Sequence, residues 1–237
     1  KPRKVLSLAR GREMMYWVRQ KRGIDYRVNE SHILSLKASG TEGTRIHGQV
    51  VNISVKDYLN TSDKFRIRHK GYKVAVDFPE QPVPVNPYLL GAWLGDGHST
   101  KTVIFNVDEQ LQDAVAQICK IEGYRTYINT VAGKCPEIRI RRVEGGGPCL
   151  QVQLKELGVW DEKGIPQIYR SNSREVRLEL LAGLMDADGY YCPHMQCFEN
   201  TQKSKRLAED IKFLGDSLGF RTSIVKKKGS IKASGFE

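Results

Sequence analysis

The stretch Tyr88-Leu-Leu-Gly-Ala-Trp-Leu-Gly-Asp-Gly97 returns 92 residues later as Leu180-Leu-Ala-Gly-Leu-Met-Asp-Ala-Asp-Gly189, and no other feature of the 237-residue chain limits its fold so tightly. A second echo keeps the same order: Gly123-Tyr-Arg-Thr-Tyr-Ile128 recurs 96 residues on as Gly219-Phe-Arg-Thr-Ser-Ile224. The helical stretches ahead of that second pair, 108–122 and 203–218, also correspond. The pattern predicts an α+β fold built from a duplicated α-β-β-α-β-β unit with pseudo-two-fold symmetry. The two spacings differ by four residues, which places the length difference in the early hairpin of each repeat. Asn86 reads as an N-cap with Pro87 at the first helical position, so the first repeat runs from about 87 to 172 and the second from about 173 to 237.

Each motif carries small residues at i and i+4, Gly91 with Gly95 and Gly183 with Ala187. That leaves one helix face without bulk, and two such helices can approach closely. If they run parallel about the pseudo-dyad, Asp96 and Asp188 emerge side by side. Two carboxylates at two helix C-termini repel each other and the negative ends of the helix dipoles, and a divalent cation relieves both effects. Carboxylates, with the carbonyls of Gly95 and Ala187, are hard oxygen donors suited to Mg²⁺, whose phosphate contacts serve phosphodiester hydrolysis. One apolar stretch ending in Asp-Gly is ordinarily a core helix with a glycine cap, but an acid at the same place in both copies favours a metal site. Asp186 faces Leu94 in the repeat alignment and is read as structural.

The 38 Lys and Arg exceed the 27 acids by 11, an excess that favours a polyanionic partner such as nucleic acid. Residues 1–85 hold 17 basic and 8 acidic residues, against 21 and 19 in 86–237. In Glu137-Ile-Arg-Ile-Arg-Arg142, Ile138 and Ile140 alternate with Arg139 and Arg141, giving one apolar and one basic strand face. Arg125, Arg142, Arg221, Lys226, Lys227, Lys228 and Lys232 extend the basic character, with no acid between 217 and 236, and a concave basic sheet that fits the DNA major groove is expected. No apolar run approaches the roughly 20 residues of a bilayer span, so no membrane partner is expected. Five cysteines without a paired framework point to a reducing interior, cytoplasmic or nuclear according to the host. Cys192, His194 and Cys197 lack a second ligand pair and are read as structural. Short β-favouring stretches at Met14–Val18, Tyr26–Val28 and His32–Leu36 make residues 1–78 a mostly β module, and four prolines around 79–86 read as a linker to a domain at 87–237.

Leu181-Ala-Gly-Leu-Met-Asp-Ala-Asp-Gly189 resembles the signature of the LAGLIDADG homing endonucleases, with a looser first copy at Leu89–Gly97. Lys163-Gly-Ile-Pro166 resembles the Lys-x-Ile-Pro block carried by inteins of this family. The resemblance implies a monomeric, two-motif, site-specific double-strand DNA endonuclease that leaves 3′ overhangs. It also implies two or three Mg²⁺ ions at Asp96 and Asp188, with Lys163 stabilising charge or orienting water. Residues 10–16 and Asn29-Glu-Ser-His32 resemble parts of an intein (Hint-like) splicing domain, with Asn29 and His32 in the Thr-x-x-His block, and this implies host exteins as partners in the precursor. A chain beginning at Lys1 offers no acyl-shift nucleophile, so splicing by this chain is not expected. The competing readings are a LAGLIDADG-fold nucleic-acid-binding protein that does not cut, and a splicing element whose nuclease has decayed.

Duplex binding should weaken steeply between about 50 and about 200 mM salt, and Arg139→Ala, Arg141→Ala or Lys227→Ala should each lower the log–log slope by about one if the side chain meets a phosphate. Salt titration of a gel-shift or anisotropy signal checks this.

Overall fold

The computed structural model describes residues 4–8, 10–20, 24–40, 46–145 and 148–227. The chain divides into two compact units, Lys1–Lys73 and Val74–Glu237. No helix among the described residues is long and apolar enough to cross a membrane.

In the first unit β1 (Met15–Val18) pairs antiparallel with β2 (Tyr26–Asn29). A separate sheet has β3 (Ile33–Ala38) between β4 (Val50–Ser54) and the two-residue β5 (His69–Lys70). β3 shows the period of two that a half-buried strand requires, with Leu34, Leu36 and Ala38 inside and Ile33, Ser35 and Lys37 outside. Two short helices not anticipated from sequence lie between β4 and β5, α1 (Val55–Leu59) and α2 (Asp63–Arg68). Ser54 and Ser62 cap them, each hydroxyl accepting the backbone N–H three residues on, from Asp57 at 3.0 Å and Phe65 at 3.2 Å. The core here is small: Val28, Leu34, Leu36 and Val55, flanked by Tyr16, Val18, Ile53, Tyr58 and Phe65.

The second unit runs α3 (Pro87–Asp96), β6 (Val103–Phe105), α4 (Glu109–Ile121), β7 (Tyr124–Asn129), β8 (Glu137–Arg142), α5 (Leu150–Glu156), α6 (Gln167–Arg170), α7 (Arg174–Asp188), β9 (Gly189–Cys192), β10 (Cys197–Asn200) and α8 (Lys205–Ser217). Asn86 caps α3 as expected, its Oδ1 accepting the Leu89 N–H at 3.2 Å, with Pro87 in the first turn. Asp108 and Ser204 cap α4 and α8, close to the ends read from sequence. β6, β8 and β7 form a sheet in that order, and β9 and β10 form a hairpin. The core gathers Leu90, Trp93 and Leu94 of α3, Ile104 of β6, Val115 of α4, Ile138 of β8, Leu180 and Leu184 of α7 and Leu214 of α8.

Two expectations change. The proline-rich segment read as a linker is held on the second unit: Gln81 and Asn172 exchange two hydrogen bonds of 2.9 Å, and the Tyr169 hydroxyl bonds both the N–H and the carbonyl of Val85. Arg177, wholly buried, donates to the carbonyls of Val76 and Asn172 and to the Ser217 hydroxyl and lies over the Phe78 ring. Proline residues cannot join a ladder, but their carbonyls and the interleaved N–H groups still need partners, and these side chains supply them. The second correction concerns the basic sheet of the second repeat, because residues 221–227 form no strand. A ladder needs a partner strand; Arg221, Lys226 and Lys227 are exposed, and Lys227 meets β10 only through its side chain, at Glu199. Lys228 and Lys232 lie outside the described residues.

Gly183→Ala should lower the stability of the second unit by about 1 to 3 kcal/mol, since its β-carbon would fall 2.2 Å from the Tyr88 carbonyl oxygen of α3. Helix propensity alone predicts a gain of about 1 kcal/mol. Denaturant melts decide, and an unchanged or higher midpoint would mean that the helices separate at no cost.

Candidate functional site

The site is made by backbone proximity. A β-carbon on Gly91 would meet the Leu180 carbonyl oxygen at 2.3 Å, and one on Gly95 would meet the Ala187 Cβ at 2.6 Å. The four small residues noted in the sequence are therefore the contact, and they bring the C-terminal ends of α3 and α7 together. Asp96 and Asp188 are the last residues of these helices. Gly97 and Gly189 cap them, with N–H groups bonded to the Trp93 and Met185 carbonyls. Both glycines are extended, with φ −74 and −86, so the usual left-handed cap is absent. Glycine stands there because a β-carbon would lie 2.2 Å from the Trp93 oxygen at 97 and 2.3 Å from the Met185 oxygen at 189.

Asn106 Nδ2 donates to Asp96 Oδ2 at 2.6 Å, and Gln202 Nε2 donates to Asp188 Oδ2 at 2.7 Å. The two amides were not singled out in the sequence, yet a signal existed: each stands two residues before a helix cap, Asp108 or Ser204, and they are 96 residues apart like the second echo. Lys163 Nζ donates to the Gly95 carbonyl at 2.9 Å and lies 5.5 Å from the centre of the Trp93 ring. Its loop is fixed by α8, where Asp210 accepts the Ile165 N–H at 2.8 Å and pairs with Arg170 at 2.6 Å.

Burial pushes the Asp96 carboxyl up to about 6; the Asn106 hydrogen bond opposes this, while the charge of Asp188 and a hydrogen bond with it add to the rise. Burial likewise lowers the Lys163 pKa, against the pull of Asp188 and Asp96. Of the carbonyls expected as metal donors, that of Gly95 carries the Lys163 ammonium. Among the described residues no three or more His, Cys, Asp or Glu side chains are grouped as a metal site. Two crowded carboxylates at helix ends do fit Mg²⁺, which needs few protein ligands because it keeps several waters. Asp186, read as structural, accepts the Tyr88 hydroxyl at 2.8 Å and so ties α7 to α3.

β8 buries Ile138 and Ile140 and exposes Arg139 and Arg141, as its alternation predicts, and Arg142 at its end is exposed as well. Arg125 and Arg141 are direct cross-strand partners and both are exposed, an opposition of like charges that costs stability without an anion nearby. A groove of about 510 Å³ runs along this sheet, lined by Lys101, Phe105, Arg139, Arg141, Arg142 and Gln151 among others. The basic face is not uniform: Arg139 pairs with Glu137 and Lys227 with Glu199, both at 2.6 Å. In the first unit Asn29 and His32 sit in the turn from β2 to β3, where the His32 N–H bonds the Asn29 carbonyl at 3.2 Å. His32 is exposed, and the buried histidine of that unit is His69, stacked on Phe65.

Residues 175–235 match the family model of a LAGLIDADG-like domain. The LAGLIDADG family binds DNA and generally comprises DNA endonucleases, so this domain points to nucleic-acid binding or a nuclease. The chain is also similar to "Replicative DNA helicase DnaB" of Mycobacterium intracellulare, 34% identical over 162 residues that make 68% of this chain and 24% of that protein. "Glutamine--fructose-6-phosphate aminotransferase [isomerizing]" of Methanocaldococcus jannaschii is 24% identical over 66% of this chain and 15% of its own length. "ATP-dependent DNA helicase Hel308" of the same organism is 22% identical over 87% of this chain and 16% of its own. The chain thus spans a quarter or less of the curated relatives it matches.

The Asp96 carboxyl sets a pH dependence. Its folded pKa of about 6 lies above the ordinary aspartate value of 3.8, so the folded state holds the proton more tightly and stability falls as pH rises between those values. In metal-free buffer Asp96→Asn should therefore gain on the wild type by on the order of 1 to 2 kcal/mol between about pH 4 and about pH 7. Unfolding midpoints across that range check the sign; a constant difference would remove burial and Asp188 as causes.

Proposed function

We propose that the chain is a site-specific, Mg²⁺-dependent DNA endonuclease of the LAGLIDADG kind, carried within a host protein as an intein and cutting both strands of a long duplex site. The observation that carries the reading is the meeting of Asp96 and Asp188 at adjoining helix ends, each bound by an amide, with Lys163 beside them. The duplicated layout gains support from the order α3-β6-α4-β7-β8 and, after α5 and α6, α7-β9-β10-α8, with one named strand where two were expected after α3 and none after α8 among the described residues, and from the matching amides Asn106 and Gln202. The intein context is supported by the relatives: two DNA helicases and an aminotransferase each match this chain over a quarter or less of their own length. An inserted element explains such sharing better than a common activity does. On this reading the first unit is part of a Hint-like splicing domain in which His32 acts, the exteins are host sequences, and the nuclease works as a monomer.

Bound at Asp96 and Asp188, Mg²⁺ would supply charge neutralisation and acidify a water. Asn106 and Gln202 keep the carboxylates turned toward the helix junction. Lys163, held by the Gly95 carbonyl, sets a cation where negative charge grows on a phosphate drawn to the helix ends. Arg125 and Arg141 neutralise phosphates of duplex lying on the sheet, which relieves their mutual repulsion. Arg139 and Lys227 must first leave Glu137 and Glu199, so their removal should change the salt slope less than that of Arg141.

Asp96→Asn and Asp188→Asn should each reduce cleavage at least about a hundredfold and leave duplex binding in Ca²⁺ intact. The measurement is incubation with a randomised duplex library and Mg²⁺, sequencing of the cut ends, then gel-shift on the recovered site. If either variant cuts both strands at the wild-type rate, the two aspartates are helix ends only. Binding without cutting by the wild type would favour a nucleic-acid-binding protein of the same fold.

A further inference from the structure

Cys192 and Cys197 are the last cross-strand pair of the β9–β10 hairpin, directly opposite each other across the four-residue loop Pro193–Gln196. Partners so opposed in an antiparallel ladder hold their Cα atoms about 4.5 or 5.5 Å apart, and both distances lie inside the roughly 4.4 to 6.8 Å that a disulfide spans. Both side chains are half-buried and both are free thiols. Opposed residues of a ladder point to the same face, and Tyr190 and Glu199 share that face. Lys227, bonded to Glu199, brings its ammonium to this side of the hairpin. The other cysteines have no such arrangement: Cys119 is buried in the core, with its thiol pushed up to about 12 by burial, and Cys135 and Cys149 lie in loops.

We propose that Cys192 and Cys197 form a reversible dithiol–disulfide site, oxidised by a low-molecular-weight disulfide such as glutathione disulfide. One thiolate attacks a sulfur of glutathione disulfide, forms a mixed disulfide and expels one glutathione thiolate, which takes up the proton released. The second cysteine, as thiolate, then attacks the protein sulfur of that mixed disulfide and expels the second glutathione. The two cysteine sulfurs together lose two electrons and the glutathione disulfide gains them. The bond closes the hairpin at its loop end. β9 starts at the residue after Asp188, and Gln202, just beyond β10, bonds that carboxylate, so the closed hairpin also stiffens one edge of the aspartate site. None of this depends on DNA cleavage.

The test equilibrates the whole chain in glutathione redox buffers, quenches it with acid, and counts and maps thiols by peptide mass spectrometry. Oxidation should remove two of the five thiols, give a peptide linked between Cys192 and Cys197 without bound glutathione, and revert with excess thiol. Cys192→Ser should stop at a glutathione adduct on Cys197. Amide exchange over residues 189–200 should slow in the oxidised wild type and not in the oxidised variant. Persistent glutathione on both cysteines of the wild type, or both remaining reduced while Cys135 reacts, would overturn the proposal, as would unchanged exchange across the hairpin in the linked form.

Discussion

At Gly91 and Gly183 the backbones of α3 and α7 come so close that a β-carbon on either would sit 2.2 to 2.3 Å from a carbonyl oxygen of the other helix. This contact decides where everything else lies. It aligns the two helix C-termini, and Leu180 and Leu184 of α7 pack into the same core as Leu90, Trp93 and Leu94 of α3. The Tyr88 to Asp186 hydrogen bond adds a polar tie across the pair, and partial burial of the phenol together with that carboxylate raises the tyrosine pKa. A side chain at either glycine would part the helices and with them the two aspartates.

The same proximity creates an electrostatic debt at the helix ends. Asp96 and Asp188 face the negative poles of two helices and each other. Within the protein the relief is partial: one amide donor for each carboxylate, and the Lys163 ammonium held by the Gly95 carbonyl. Burial, with the charge of Asp188 added, lifts the Asp96 pKa to about 6. On the sheet the sign reverses, with Arg125 opposite Arg141. Negative charge is concentrated at the helix junction and positive charge on the strands; on the proposed reading a divalent cation would answer the first and a phosphate backbone the second.

The helix start at Asn86 was legible because capping is local, a side-chain oxygen and an N–H three residues on, and the helices near 108–122 and 203–218 were legible from their correspondence in the two repeats. The inward and outward faces of β8 were legible from a period of two over six residues. The strand expected beyond Gly219 was not found in the described residues, since β-favouring Ile224 and Val225 make a strand only where a partner offers a ladder. The proline-rich segment misled for the opposite reason. Its composition excludes regular structure, but nothing local reveals that Asn172, Tyr169 and Arg177, about ninety to a hundred residues away, bind its backbone.

By itself the sequence determined the two helix ends, their small faces and the repeated Asp-Gly, because each rests on residue size and on spacings of one or two turns. Only the tertiary structure decided that Asn106 and Gln202 orient the carboxylates, that Lys163 reaches Gly95 across 68 residues, that Arg139 and Lys227 are held by acids, and that Cys192 stands opposite Cys197. Those facts depend on distances of a few ångströms between residues far apart or on strand register. Hydrogen bonds and charges act at that range, whereas pattern and propensity report only on neighbours along the chain.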